Sequence, residues 1–370
     1  MKKPAILILS IISIAVVITI LFISFRPRRD IKIGFIADLS GRQSQLGIAV
    51  RNSFLMAIDE LNASGGINRH KITALIEDNE NNRDISFEKT KKLVSENVDV
   101  IIGPMTSAMA GPVIKAAENT VIISPTVSTD AVTGIDDMFF RVIPAASMQG
   151  KKLADIVIKN NEKNIIVVLD SRNIEYSGAF SKGFLKKFEA VDGNTSIVIE
   201  FNDKSQFPEI AQKIKEINPV ALIFISSGIN AAGIIQQYAK IAPLPHLYSS
   251  YWGKASNVHE FGGRTVEGMI LVAGFENEIE TERERDFHKK YFDIYQTVPN
   301  FAARYSYESV MLYAAAAGNA KSLKPLDIKK ELLQLESFEG ITDSYKMDPY
   351  GDVIRDQTLF IIKDNQYEFY

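Results

Sequence analysis

The chain has no cysteine anywhere in its 370 residues. That excludes disulfides, a thiol nucleophile, thiolate metal ligands and lipid attachment to a cysteine. Stability must then come from buried apolar surface. Tryptophan occurs once, as Trp252, and histidine four times, as His70, His246, His259 and His288. No two of these histidines stand at the spacing of a metal-binding helix. The Gly-x-Ser-x-Gly turn of serine hydrolases is missing. So are the Gly-x-x-x-x-Gly-Lys-Ser/Thr phosphate loop and the Gly-x-Gly-x-x-Gly dinucleotide fingerprint. The chain therefore reads as a non-enzyme, with no cofactor and no metal expected.

Basic charge is scarce outside the first residues. Setting aside Lys2, Lys3, Arg26, Arg28 and Arg29 leaves 37 of the 42 basic residues against 45 acidic ones, a net of −8. An acidic body argues against nucleic acid as a partner.

Long apolar runs are scarce too, with one exception. Lys2 and Lys3 precede an uncharged stretch from Pro4 to Phe25, 22 residues long. A helix of that length spans a bilayer. No small-x-small cleavage site closes it, and Ser24-Phe25-Arg26-Pro27 is a poor substrate for signal peptidase. An uncleaved signal anchor over residues 1–29 is expected ahead of a signal peptide. Arg26, Arg28 and Arg29 on the far side would count against export by the positive-inside rule.

Beyond this run the pattern becomes a regular alternation. Ile31 to Ile36 reads as a strand and Leu46 to Ala63 as a helix with an apolar stripe of Phe54, Leu55, Ile58 and Leu61. Strand and helix patterns then alternate twice over, which predicts two doubly wound α/β sheets. Glu280 to Tyr295 and Ala302 to Asn319 read as late helices. Beyond Gly340 the chain turns extended, over Asp343 to Met347, Leu359 to Lys363 and Gln366 to Tyr370.

The most informative stretch is Val98 to Thr133. Two short apolar runs, Val98 to Ile102 and Val121 to Ile123, read as neighbouring buried strands. Gly103-Pro104 breaks the first, and Thr106 and Ser107 follow. Ser124-Pro125 ends the second, and Thr126 and Ser128 follow. Ligands bind at the carboxyl ends of strands in such sheets. Hydroxyls beside helix starts suit a carboxylate.

The order strand, Ile-Gly-Pro, hydroxyl pair, helix, Ile-Ser-Pro resembles the leucine/isoleucine/valine-binding family of type I periplasmic binding proteins. Three other stretches are similar to that family: DLSGRQSQLG (Asp38 to Gly47), AIDELNASGGI (Ala57 to Ile67) and the Gly-Gly-x-x-x-Glu-Gly of Gly262 to Gly268. The resemblance covers about residues 31–370. It implies two lobes joined by three hinge strands, near Ile143 to Ala146, Val272 to Phe275 and Ile341 to Tyr345. Lobe one would be 31–145 with 274–341, and lobe two 146–273 with 342–370. It implies a small-molecule ligand, an ABC permease as partner and an extracytoplasmic location. A ligand-sensing ectodomain acting through a membrane partner is the alternative.

The resemblance also implies a ligand site. Thr106, Ser107, Thr126 and Ser128 would hold a carboxylate, and Tyr176 would close over it. Asp38 lies at the end of the first strand, facing the same cleft. In the loop Ser249 to Asn257 the family supplies an acid to the ligand's ammonium. Here Tyr251 and Trp252 stand there, and no carboxylate occurs between Ser249 and Val258. That departure puts an ordinary amino acid in doubt, yet an amino acid still leads because the lobe-one half of the family's site is intact, with an amine-free carboxylate or an amide as the runner-up.

Overall fold

The computed structural model describes residues 29–41, 44–255 and 257–370. The apolar run Pro4 to Phe25 lies outside them. Among the described residues no helix is long and apolar enough to cross a membrane.

Five parallel strands form the first sheet: β1 (Ile31–Ala37), β2 (Ile72–Asp78), β3 (Val100–Ile102), β4 (Val121–Ser124) and β5 (Phe139–Arg141), in the order β2-β1-β3-β4-β5. Strand residues alternate between two faces. Ile33, Phe35, Val100, Ile102, Val121 and Ile123 face one core, with Phe54 of the helix Ser44–Ala63. Ile36, Ile101 and Ile122 face another, with Leu93 and Val113. Burial on both faces explains why these strands are unbroken apolar runs. A helix from far along the chain, Phe301–Asn319, joins the first of these cores through Tyr305 and Tyr313. Its Ser306 hydroxyl donates to Val50 O at 2.9 Å.

The second sheet starts from β6 (Asn164–Asp170), β7 (Thr195–Phe201), β8 (Ala221–Ile225), β9 (His246–Ser249) and β10 (Ile270–Gly274). These are parallel, in the order β10-β9-β8-β6-β7. Ile166, Val168, Leu222 and Phe224 face one side, Ile165, Val167, Ile223 and Ile225 the other.

The tail departs from the expected plan. Residues 344–354 do not enter the second sheet. β11 (Phe338–Glu339), β12 (Ser344–Met347) and β13 (Val353–Ile354) form a small antiparallel sheet. Its Tyr345 and Val353 pack into the first core. The chain returns to the second sheet only with β14 (Gln357–Lys363), antiparallel to β10, and β15 (Gln366–Phe369). The second sheet is therefore mixed, not purely parallel. Asp364 and Asn365, with φ of 48° and 59°, make the left-handed two-residue turn of the β14–β15 hairpin.

Chain passages between the two sheets run through 142–145, 275–281 and 355–356. Arg355 lies where they meet. Its Nη1 donates to Val142 O at 3.0 Å and to Glu308 Oε2 at 2.7 Å. Its Nε donates to both oxygens of Asp343 at 3.1 Å. The guanidinium lies 4.2 Å from the Tyr345 ring centroid and 4.8 Å from that of Tyr305. Glu308 Oε1 also accepts from Ile341 N at 2.7 Å. Burial opposes the charge on Arg355, but Glu308, with Asp343, Tyr305 and Tyr345, outweighs it and holds its pKa well above the ordinary value.

Arg355 and Glu308 side chains are each 1% exposed. Removing one partner of a buried pair strands the other and costs about 3–5 kcal/mol. Arg355→Met is expected to lose that much stability in urea unfolding. A loss below about 1 kcal/mol, the range of an exposed pair, would show that the network is not the fastening described here.

Candidate functional site

Strands β3 and β4 end side by side, and their loops are sewn together. Gly103 has φ of 128°, and a Cβ there would stand 2.3 Å from Ile36 O, so glycine is required where the chain leaves β3. Ser124 Oγ donates to Pro104 O at 2.7 Å and accepts from Val127 N at 3.0 Å. Thr126 Oγ1 donates to Met105 O. Thr106 Oγ1 donates to Asn81 Oδ1 at 2.8 Å. Ser107 Oγ accepts two backbone N–H groups, from Ser128 and Thr129, each at 3.2 Å. An oxygen occupied by two donors leaves its own O–H proton to point elsewhere.

The opposite wall comes from the second sheet's side. Tyr176, near the start of the helix Ile174–Phe188, donates from its hydroxyl to Gln149 Oε1 at 3.2 Å. Gln149 Nε2 in turn donates to Pro144 O at 3.2 Å. Trp252 meets Tyr176 edge to face, with ring centroids 6.0 Å apart at 84°. Tyr251 lies 4.3 Å from the ring of Phe301. The two walls touch: Ala108 N donates to Asn173 Oδ1 at 3.3 Å, and Arg83 pairs with Glu175 at 2.7 Å. Between them lies a cavity of about 60 Å³.

The family of proteins described as periplasmic binding protein matches residues 30–365. The chain belongs to the periplasmic binding protein family. A Leu/Ile/Val-binding protein of Rhizobium johnstonii is 29% identical over 188 residues, and the aligned part is 49% of each chain. The crystal structure of a branched-chain amino acid transporter substrate-binding protein from Streptococcus pneumoniae, in complex with isoleucine, has a TM-score of 0.82. It is 24% identical and covers 92% of this chain and 98% of its own. A solute-binding protein of an ABC transporter from R. palustris, in complex with benzoate, has a TM-score of 0.80. It is 22% identical and covers 92% and 95%. At these identities the two structures show a shared fold.

In this periplasmic binding protein, seven of the eight expected site residues line the one cavity: Thr106, Ser107, Thr126, Ser128, Tyr176, Tyr251 and Trp252. Asp38 does not. It is buried, and its carboxylate turns back to accept from Gly41 N at 2.6 Å, organising its own loop. The sequence reading missed Leu46, Met105, Ile143, Gln149, Asn173 and Phe301, which complete the lining. Phe301 carried a signal in its place directly after Asn300, whose side chain accepts from Ala302 N and Ala303 N as a helix cap. Gln149 had none beyond being polar on the otherwise apolar buried face of its helix.

Every described side chain on the lining is uncharged. Burial raises the pKa of both Tyr176 and Tyr251, so both phenols stay protonated. Because Trp252 is the only tryptophan, its emission reports on this wall alone. A solute that fills the cavity is expected to shift or quench it, saturably. Fluorescence titration checks this, and Trp252→Phe must abolish the signal. A bound solute that leaves the emission unchanged would place binding elsewhere.

Proposed function

We propose that the protein captures a small carboxylate-bearing solute, an amino acid or a related acid, between two lobes and hands it to an ABC permease. Its place is outside the cytoplasm, and it binds without turning its solute over. Lobe one takes residues 31–145 with the helices and small sheet of 274–355. Lobe two takes 146–273 with the hairpin of 357–370. The third hinge passage is then Arg355-Asp356, a refinement of the boundary read from the sequence. The relatives bound to isoleucine and to benzoate bracket the class of solute.

One observation carries the reading. Ser107 spends its oxygen on two backbone N–H groups and faces the cavity with a proton to give. A carboxylate accepts such a donor. A hydrogen bond to a charged group contributes roughly 1.5–3 kcal/mol. Solute is to be released from the native protein by denaturation and identified by mass spectrometry. Ser107→Ala is expected to weaken its binding about ten- to hundredfold, read by calorimetry. Unchanged affinity would remove Ser107 from the site and the carboxylate with it.

The run Pro4 to Phe25 is proposed as an uncleaved anchor, on its length and its missing cleavage site. N-terminal sequencing of membrane-associated native protein should return the encoded start. A mature terminus near Asp30, in the soluble fraction, would refute the anchor and leave the binding function standing.

A further inference from the structure

Resting on the binding function just proposed, we infer that the solute is an amine-free carboxylate with an apolar or aromatic body, and not a zwitterionic amino acid. The reasoning starts from what an α-ammonium needs. It brings three N–H donors and a full positive charge into a buried site. Burying a charge is costly unless an opposite charge meets it. The lining side chains offer neutral acceptors only: the hydroxyl oxygens of Thr106, Thr126, Ser128, Tyr176 and Tyr251, and the amide oxygens of Gln149 and Asn173. Both amide oxygens already accept, from Tyr176 and from Ala108 N.

Three acids at or just beyond the ends of β1, β6 and β10 are committed elsewhere. Asp170 ends β6 with its side chain fully buried. One oxygen accepts from Arg172 N at 3.1 Å and Arg172 Nε at 2.8 Å. The other pairs with Arg172 Nη2 and accepts from Asn230 Nδ2 at 3.1 Å. Asp38 is turned into its own loop. Glu276 pairs with the half-buried Lys254 at 2.7 Å, two residues beyond Trp252. None of the three lines the cavity.

Charges of both signs stand behind the wall, so they supply no net partner for an ammonium. Arg304 is buried on the helix that begins at Phe301, close enough for its charge to act on Tyr251. Glu276 acts on Tyr251 with the opposite sign. A carboxylate at the Ser107 end meets a donor, and a neutral ring or branched alkyl group suits Tyr176, Trp252, Tyr251 and Phe301.

The test uses the full-length protein, freed of solute by unfolding and refolding, and matched pairs that differ in the amine. Leucine is paired with isocaproate, phenylalanine with hydrocinnamate, and phenylglycine with phenylacetate. Calorimetry is expected to give tighter binding to the amine-free member, by about tenfold or more, in each pair that binds. An amino acid that binds as tightly as its partner, or more tightly, overturns this inference and leaves the proposed function intact. Glycine betaine binding more tightly than every amine-free acid overturns it in favour of a cation. No binding by any member overturns both. A second arm adds the missing charge. Asn173→Asp keeps the acceptor for Ala108 N and puts one carboxylate on the wall. It is expected to move the ratio within a binding pair about tenfold toward the amino acid. An unmoved ratio overturns the electrostatic basis.

Discussion

The buried ion pair of Arg355 and Glu308 is the constraint on which the rest of the geometry depends. A guanidinium with five donors cannot be buried without partners. Arg355 finds them in Val142, Glu308 and Asp343, which come from three distant parts of the chain. Val142 lies in the first passage between the sheets. Glu308 also takes the N–H of Ile341, and its neighbour Arg304 reaches Phe275 O in the second passage at 3.5 Å. Three strands of chain are thereby held by one small set of charges. Ile143, next to Val142, lines the cavity, so the position of that wall is set by the same network.

Polar bonds, not bulk, shape the two walls. On one side Ser124, Thr126 and Ser107 tie the ends of β3 and β4 together: Ser124 and Thr126 donate to carbonyls, and Ser107 accepts from an N–H. On the other, Tyr176, Gln149 and Pro144 O form a short relay that holds the phenol upright against Trp252. One of the contacts joining the walls is weaker. Arg83 and Glu175 are both partly exposed, and such a pair contributes about 0–1 kcal/mol.

Much of this was legible because the chain marks its strand ends. Gly103-Pro104 and Ser124-Pro125 stop two apolar runs, and the hydroxyls beyond them could only lie at one sheet edge. Asp38 misled for a physical reason. A carboxylate at a strand end can face a cleft or cap its own turn, and residue type does not choose between them. The tail was misplaced because its allegiance is decided at long range. Asp352 pairs at 2.7 Å with Arg141, whose side chain is 1% exposed, and Gly351 O accepts from Arg141 N at 3.2 Å. Those bonds keep residues 344–354 on the first core, and no local pattern announces them. The antiparallel return of β14 had a local sign in Asp364-Asn365, but a turn does not name the sheet its hairpin joins.

The layout of the second return has a consequence for how the chain is made. β10 is flanked on one side by β14, so the second sheet lacks an inner strand until residue 357 is available. The first core waits on the helix Phe301–Asn319, whose Ser306 bonds Val50 across 256 positions. Neither half can finish while its last segments are still unmade. Contacts so distant in sequence slow folding, because loop closure must precede any reward. Completion of both cores is thus deferred until the last residues have been made.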